Sequence, residues 1–349
     1  MLLGMRKIPR LSEADRTPRE RALIERIRYR ARGKSFAGLV LGIGDDCALL
    51  EGKPKEQLAV TTDLSLAGRH FNLDWHPPEV VGHRTLARGL SDLAAMGARP
   101  LAAFVSLGLP LELSRKDGRK LPWIDRFFDG LLALAAAHNT PLAGGDLAQA
   151  QIAVADIVLV GAVPRKRALL RSGAKAGDGL YVTGSLGGAA LGLATLKSLA
   201  AQSARNFRPL RIRKKLTPLL AAHFYPQPRL AQGLWLQRRG LASAAIDLSD
   251  GLSIDLAHIC EESGVAAEVD ASSLPLSAGA TLMQALHGGE DYELLFAAPA
   301  GVRVPHTIAG VAVTQIGRFK RRRSGQPLVA IRTERRLEPL PQRGWEHFG

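Results

Sequence analysis

The sequence has few cysteines and no long apolar run, and both absences narrow what the protein can be. Cys47 and Cys260 are its two cysteines in 349 residues, too few for a disulfide framework or a cysteine-based zinc site. This usage predicts a reducing, cytoplasmic setting. No segment reaches the ~18 consecutive apolar residues of a membrane span, and residues 1–10 lack the apolar stretch of a signal peptide. We therefore expect no membrane partner.

Familiar nucleotide and nucleophile motifs are also missing. Gly33-Lys34-Ser35 is similar to the end of a P-loop, but Arg28 occupies the position of its first glycine. Gly42-Ile43-Gly44 is followed by Cys47 where a dinucleotide-binding loop needs glycine. No Gly-x-Ser-x-Gly elbow occurs, and neither cysteine lies in a recognisable nucleophile motif. We therefore treat the two glycine matches as chance.

Acidic residues are outnumbered, because 47 Lys and Arg face 32 Asp and Glu and give a formal net charge of +15. Basic residues cluster in residues 1–34, Arg205–Lys215 and Arg318–Arg323, which we interpret as solvated loops or helix faces. The surplus suggests anionic partners, namely nucleic acid, an acidic membrane surface or phosphorylated small molecules. Nucleic-acid binding favours aromatic side chains among the basic ones, and the second and third clusters contain only Phe207 and Phe319. We therefore expect no nucleic-acid partner.

Length and composition fit a globular protein of two domains, with 46% hydrophobic and 23% charged residues. The alternation of strand-like and helix-like segments predicts an α/β protein with mixed sheets. We divide it into residues 1–165 and residues 166–349. Hydrophobic periodicity predicts helices over residues 80–96, 123–138, 189–200 and 252–263, and strands over residues 57–62, 101–109, 152–163, 179–183, 244–248 and 292–297.

Six motifs place acidic side chains beside small residues at predicted strand ends and turns. Mg²⁺ prefers oxygen ligands and commonly combines one or two carboxylates with phosphate oxygens and water. Glycine lets the backbone approach a phosphate closely. Asp92 is the sharpest case, because a carboxylate in the apolar helical segment 90–96 needs a partner such as a cation. The motifs are Gly42–Asp46, Thr61–Asp63, Ser91-Asp92, Gly144–Asp146, Ile246–Gly251 and Gly288–Asp291.

As a set, these motifs resemble the thiamine-monophosphate kinase family. They occur in the family's order and, with three further matches, extend over about residues 36–348. Single motifs recur in the wider superfamily of aminoimidazole ribonucleotide synthetase, selenophosphate synthetase and hydrogenase-maturation proteins. The further matches are Gly68–Phe71, Arg171–Lys175 and Trp345–Phe348.

The resemblance implies a two-domain aminoimidazole ribonucleotide synthetase-like fold whose N-terminal domains pair in a homodimer, with ATP sites near the interface. It implies transfer of the γ-phosphoryl group of ATP to thiamine monophosphate, assisted by several Mg²⁺ ions. Matching positions would hold Mg²⁺ (Asp46, Thr61, Thr62, Asp63, Asp92, Asp146, Asp247 and Asp250), contact ATP (Gly145, Asp146, Arg171 and Ser249) and contact thiamine monophosphate (His70, Glu290 and Trp345).

One departure keeps other functions open. After Gly144–Asp146 the family usually has two threonines and an arginine, whereas this chain has Leu147, Ala148 and Gln149. The alternatives are another ATP-dependent enzyme of the superfamily with a different acceptor, such as a formylglycinamidine ribonucleotide, a non-catalytic homologue, or a basic nucleic-acid-binding protein.

Overall fold

A computed structural model describes residues 26, 29–30, 39–41, 49–50, 54–116, 121–205, 217–334 and 336–344. This part of the chain forms two large β-sheets with helices packed on them and a two-stranded antiparallel pair, Leu39–Leu41 with Leu49–Leu50. The strands are β1 Leu39–Leu41, β2 Leu49–Leu50, β3 Glu56–Leu66, β4 Arg99–Leu109, β5 Leu142–Gln149, β6 Val154–Pro164, β7 Gly179–Thr183, β8 Ala244–Asp247, β9 Val265–Asp270, β10 Leu294–Ala298, β11 Thr307–Ile308, β12 Val311–Arg321, β13 Val329–Arg332 and β14 Leu337–Pro339. The helices are α1 Pro78–Ala95, α2 Leu111–Ser114, α3 Trp123–Ala137, α4 Gly188–Arg205, α5 Thr217–Phe224, α6 Leu230–Arg239, α7 Leu252–Ser263 and α8 Leu282–His287.

The first sheet has the order β3-β6-β4-β5, in which only the β4–β5 pairing is parallel. Successive residues of a strand point to opposite faces. On β3, Thr61, Asp63 and Ser65 therefore point toward α1, which packs on this sheet, while Val60 and Leu64 lie on the exposed face. We call the face that carries Val60 and Leu64 the outer face.

The second sheet has the order β14-β13-β9-β12-β7-β10-β8, with β11 beside β12. One face packs against α7, whose Leu256 and Ile259 lie in a buried cluster with Val269 and Phe319 of the sheet. Residues of the other face, among them Phe296, share a second buried cluster with residues of α1. The sheet is thus covered on both faces.

Helix α1 contacts both sheets, and 15 of its 18 residues are buried. Two glycines allow it to lie close to α3: a Cβ on Gly82 would be 1.9 Å from the carbonyl oxygen of Phe127, and one on Gly130 would be 1.8 Å from that of Glu79. The other three residues of the helix are half-buried: Glu79, Arg88 and Asp92. Because residues four apart share a helix face, Arg88 and Asp92 point the same way.

The predicted elements of both sheets are present, with shifted ends. Strand β7 and helix α7 have the predicted bounds, whereas β3 and α4 are longer than predicted. The interpretation of Arg318–Arg323 as a loop or helix face was wrong for its first four residues, which lie in β12. The predicted division at residue 165 falls between the last strand of the first sheet and the first strand of the second, and it stays a prediction. Among the described residues, no helix is long and apolar enough to cross a membrane.

Candidate active site

A cavity of about 730 Å³ lies where α1, the turn after β3, α4 and the loop between α8 and β10 meet. Two sets of side chains line it. The acidic group consists of Asp63, Asp92, Asp247 and Asp250, and the histidine group of His70, His76, His223 and Glu290. Both contain residues from distant parts of the chain, so the fold assembles each of them.

The acidic group combines side chains from β3, α1, β8 and the turn after β8. Asp63 lies on the inner face of β3, Asp92 in the last turn of α1 and Asp247 at the end of β8. Asp250 follows β8 in a turn, where the Asp255 carboxylate accepts hydrogen bonds from the amides of Asp250 (3.2 Å) and Gly251 (3.0 Å). The start of α7 thus fixes the turn that carries Asp250.

Burial and mutual repulsion make the acidic group costly to ionise. Burial and the neighbouring Asp247 raise the pKa of Asp92 to about 7, although the Thr61 hydroxyl donates a hydrogen bond to its carboxylate. Burial also raises the pKa of Asp247, whose Oδ2 accepts a hydrogen bond of 2.6 Å from Ser91. The charge of Arg171 opposes both shifts. A bound cation would relieve this repulsion.

Asp63 differs from the other two carboxylates because it has a guanidinium partner. Arg88 donates from Nε to Oδ2 of Asp63 over 2.8 Å, and its second nitrogen lies 2.7 Å from Oδ1. Ion pairs in which arginine contacts a carboxylate at two points in this way are stronger than single-point contacts. Burial still raises the pKa of Asp63, with Arg88 acting against it.

Carboxylate and hydroxyl oxygens are ligands that suit Mg²⁺, so the acidic group has the right chemistry for that ion. Within the ranges that the structure describes, however, no three His, Cys, Asp or Glu side chains are grouped closely enough to hold a metal ion. Ligands from a bound nucleotide or from undescribed residues such as Asp46 would therefore have to complete any such site.

Glu290 is the centre of the histidine group, and its carboxylate is balanced by cationic and donor groups. Its Oε1 lies 2.5 Å from a guanidinium nitrogen of Arg84, and its Oε2 lies 3.5 Å from Nδ1 of His223. Burial opposes ionisation, but Arg84 and His223 together hold the pKa of Glu290 below its ordinary value. Glu290 is therefore an anion in the folded protein.

The two buried histidines of this group contact each other. Nε2 of His76 lies 3.0 Å from Nε2 of His223, and the amide of Asn72 donates to Nδ1 of His76 over 3.0 Å. Burial lowers the pKa of His76 to about 3 and also lowers that of His223, with the nearby Arg84 charge adding to both shifts. Both imidazoles are therefore neutral near pH 7.

The loop between α8 and β10 holds Glu290 in an uncommon backbone conformation. Glu290 has φ +68° and Tyr292 has φ +50°, a region that side-chain-bearing residues seldom adopt. The amide of Glu290 donates to the carbonyl of Ser249 over 2.8 Å, and that of Tyr292 to the carbonyl of Leu248 over 2.9 Å. Between them, Asp291 accepts hydrogen bonds from the amides of Gly187 (2.6 Å) and Ala189 (3.1 Å) at the start of α4. These contacts stabilise the conformation.

Sequence comparison places the chain in a known superfamily. Residues 44–165 match the N-terminal domain and residues 175–328 the C-terminal domain of AIR synthase related protein. Thiamine-monophosphate kinases of Salmonella typhimurium and Escherichia coli K12 are each 38% identical over 348 residues, covering 94% of this chain and 98% of the relative. The chain belongs to the thiamine-monophosphate kinase family. The predicted family membership is thus confirmed.

Solved structures agree with this membership. The crystal structure of thiamine-monophosphate kinase from Stenotrophomonas maltophilia K279a is 39% identical with a TM-score of 0.74, covering 88% of this chain and 95% of that one. AaThiL complexed with AMPPCP and TMP is 28% identical with a TM-score of 0.71, covering 97% and 99%. The predicted two-domain α/β fold with mixed sheets is confirmed.

The cavity brings together seven of the residues that the family pattern singles out. Thr61 lies directly behind them through its contact with Asp92, and Arg171 is exposed but near enough to influence Asp92 and Asp247. Nδ1 of His70 accepts a hydrogen bond of 3.0 Å from the amide of Leu66, which orients the ring. The seven are Asp63, His70, Asp92, Asp247, Ser249, Asp250 and Glu290.

Other predicted residues lie elsewhere. Thr62 and Asp146 point to the outer face of the first sheet, away from Asp63 and Asp92. Thr62 lies between Val60 and Leu64 in the alternation of β3, and Asp146 shares a cross-strand row with Leu64. Gly145 adjoins Val105, and a Cβ on it would lie 1.8 Å from the Val105 carbonyl oxygen. The predicted ligands Asp46 and Trp345 lie outside the described residues.

The sequence reasoning missed the two arginines of α1 and the buried histidine pair. Arg84 and Arg88 interrupt an apolar helix just as Asp92 does, so the argument applied to Asp92 also applies to them. The pairing of His76 and His223 could not be predicted in this way. The two residues are 147 positions apart, and in its local sequence each is a single polar residue.

Proposed function

We propose that the protein transfers the γ-phosphoryl group of ATP to the phosphate of thiamine monophosphate, giving thiamine diphosphate and ADP. The observation that carries the proposal is a single cavity that joins a buried acidic group to a separate group centred on an anionic Glu290. A relative at 28% identity that holds AMPPCP and TMP supports the same pair of ligands.

The acidic group is the proposed site of the ATP phosphates and of Mg²⁺. Asp63, Asp92, Asp247 and Asp250 would hold the ion, together with Thr61, and Ser249 and Arg171 would contact the nucleotide. Mg²⁺ would neutralise phosphate charge and align the reacting oxygens. Carboxylates with raised pKa values support this assignment, because they gain most from a nearby cation.

The acceptor needs no strong general base. The second pKa of a phosphate monoester is near ~6, so the attacking oxygen is already largely ionised at neutral pH. The described cavity accordingly needs side chains that orient the acceptor rather than one that removes a proton. His70 and Glu290 are the proposed contacts, with Glu290 placed to accept a hydrogen bond or to face positive charge on the substrate, and Trp345 is the third.

The test is to incubate the protein with ATP, Mg²⁺ and thiamine monophosphate and to follow thiamine diphosphate by chromatography. We expect its formation to match ADP release one for one, and to be lost in Asp247→Asn. ADP release that depends instead on a formylglycinamidine ribonucleotide would assign another acceptor, and no ATP turnover with either compound would identify a non-catalytic homologue.

We also propose that two copies pair through the outer face of the first sheet. Leu58 and Val60 are 59% and 61% exposed on that face, and Leu64 is 47% exposed. Exposed apolar patches of this kind mark interaction sites. Sedimentation should show a dimer that Val60→Asp converts to monomer, and a wild-type monomer at micromolar concentration would contradict the pairing.

The cytoplasmic location stays a prediction from cysteine content.

A further inference from the structure

Behind the wall of the cavity, one buried side chain joins three separate segments around the proposed acceptor. Arg84, on α1, is 5% exposed. One guanidinium nitrogen contacts Glu290 at 2.5 Å and the carbonyl oxygen of His70 at 3.4 Å. The other donates to the carbonyl oxygen of His223. We propose that Arg84 is a positioning residue that sets the geometry of the acceptor end of the cavity, an inference that rests on the proposed function.

The three segments come from separate parts of the fold. His70 lies in the turn after β3, His223 on α5 and Glu290 in the loop before β10. A guanidinium has five N–H donors in a fixed plane, so a single side chain can hold three acceptors in defined directions. Two of the residues that Arg84 holds, His70 and Glu290, are the described residues assigned to the acceptor.

The contact with Glu290 also leaves one carboxylate oxygen for other partners. Arg84 takes Oε1, while Oε2 faces Nδ1 of His223 at 3.5 Å. The His76 ring, 3.0 Å from His223 and itself fixed by Asn72, keeps the His223 ring in place. Because Glu290 borders the cavity, a substrate can approach a carboxylate whose orientation is already set. Pre-set orientation lowers the cost of binding.

The experiment compares Arg84→Met, Arg84→Lys and Arg84→Gln with the wild type, varying thiamine monophosphate and ATP separately. We expect Arg84→Met to raise the KM for thiamine monophosphate about tenfold or more while the KM for ATP changes less than about twofold. Arg84→Lys, which keeps the charge and loses the planar fork, should fall between Arg84→Met and the wild type. If Arg84→Met does not fold, Arg84→Gln carries the same expectation, and equal changes in both KM values would overturn the proposal.

The control is a second arginine that forms an ion pair with α1, namely Arg126 of α3. Arg126 forms a two-point ion pair with Glu79 of α1, at 2.7 and 2.9 Å, and neither residue borders the cavity. Arg126→Met should leave both KM values unchanged, and an equal rise in the acceptor KM there would also overturn the proposal.

Amide hydrogen exchange separates this inference from the proposed function. In the ligand-free protein, the amides of Glu290 and Tyr292 should exchange faster in Arg84→Met than in Arg126→Met, because the loop loses its anchor. If the wild type makes no thiamine diphosphate, the proposed function fails while the exchange result still shows whether Arg84 sets this loop. Unchanged exchange in Arg84→Met would refute the positioning role.

Discussion

Two half-buried carboxylates that line the same cavity, Asp92 and Glu290, have opposite pKa shifts. Asp92 faces Asp247, and its pKa is raised to about 7. Glu290 faces Arg84 and His223, and its pKa is lowered. Burial alone would raise both values, so the partner determines the direction. In the histidine group, protein side chains therefore balance the negative charge of Glu290. In the acidic group the carboxylates repel each other, and a cation from outside the protein would be needed to balance them.

The largest expected effect tests whether the acidic group does need that cation. Asp247→Asn and Asp92→Asn should each lower kcat/KM about 1000-fold in Mg²⁺-dependent ATP turnover, because each removes a proposed ligand of the ion. Far-ultraviolet circular dichroism should be unchanged. Asp270→Asn, which changes an aspartate that does not line the cavity, is the control. Turnover like that of the wild type in either cavity variant would contradict the metal assignment.

A second prediction tests whether the charges of Arg84 and Glu290 balance each other in the histidine group. Glu290→Gln should lower the free energy of unfolding by about 2–3 kcal/mol at pH 7, because Arg84 stays buried without its counter-charge. A carboxyl group whose folded pKa is lowered stabilises the protein above its unfolded pKa and loses that contribution as the pH falls. Urea unfolding should therefore show the difference shrinking below about pH 4.5. A difference independent of pH would mean that packing, not charge, is lost.

The third prediction concerns a substitution that should stabilise the protein rather than destabilise it. In the absence of divalent metal, Asp92→Asn should raise the free energy of unfolding by about 1 kcal/mol at pH 8, because the wild type must there ionise a buried group beside Asp247. A folded pKa raised above the unfolded value costs stability as the pH rises toward 7. The gain should accordingly disappear by about pH 4. Destabilisation at pH 8 would show that Asp92 has a favourable partner in the ligand-free protein.

The smallest expected effect compares two neighbouring threonines. Thr61→Val removes the hydroxyl that donates to Asp92 and should lower kcat/KM about threefold. Thr62→Val changes a side chain on the outer face and should stay within about twofold of the wild type. Steady-state kinetics at saturating Mg²⁺ would measure both. A larger loss in Thr62→Val would place the outer face within the functional site.

The sequence alone predicted the features that depend on local residue patterns, namely the strands and helices with clear periodicity. Strand β7 and helix α7 show clear periodicity and were predicted with their observed bounds, and the polar break at Asp92 correctly indicated a residue at the cavity. Strand β12 was missed because a bulge between Gln315 and Gly317 breaks its alternation: Val313, Ile316 and Phe319 are buried at intervals of three. Its basic end then resembled a loop.

The composition of the histidine group could not be predicted in this way. Arg84 and Glu290 are 206 residues apart, and no local periodicity records such a pairing. The two threonines after Val60 show the same limit on a small scale, because residue type alone does not say that one points to the cavity and the other to the outer face.

The contact between Arg84 and Glu290 also determines when, during synthesis and folding, the acceptor end of the cavity can form. Arg84 leaves the ribosome long before Glu290 is synthesised, and domains fold largely as they emerge. Until Glu290 has been synthesised, Arg84 of α1 lacks the carboxylate with which it pairs in the folded protein. Contacts between residues so distant in sequence form late, because the intervening loop must first be closed. The acceptor end of the cavity is therefore completed only after synthesis has passed Glu290, so a translation product that ends before this residue would lack it.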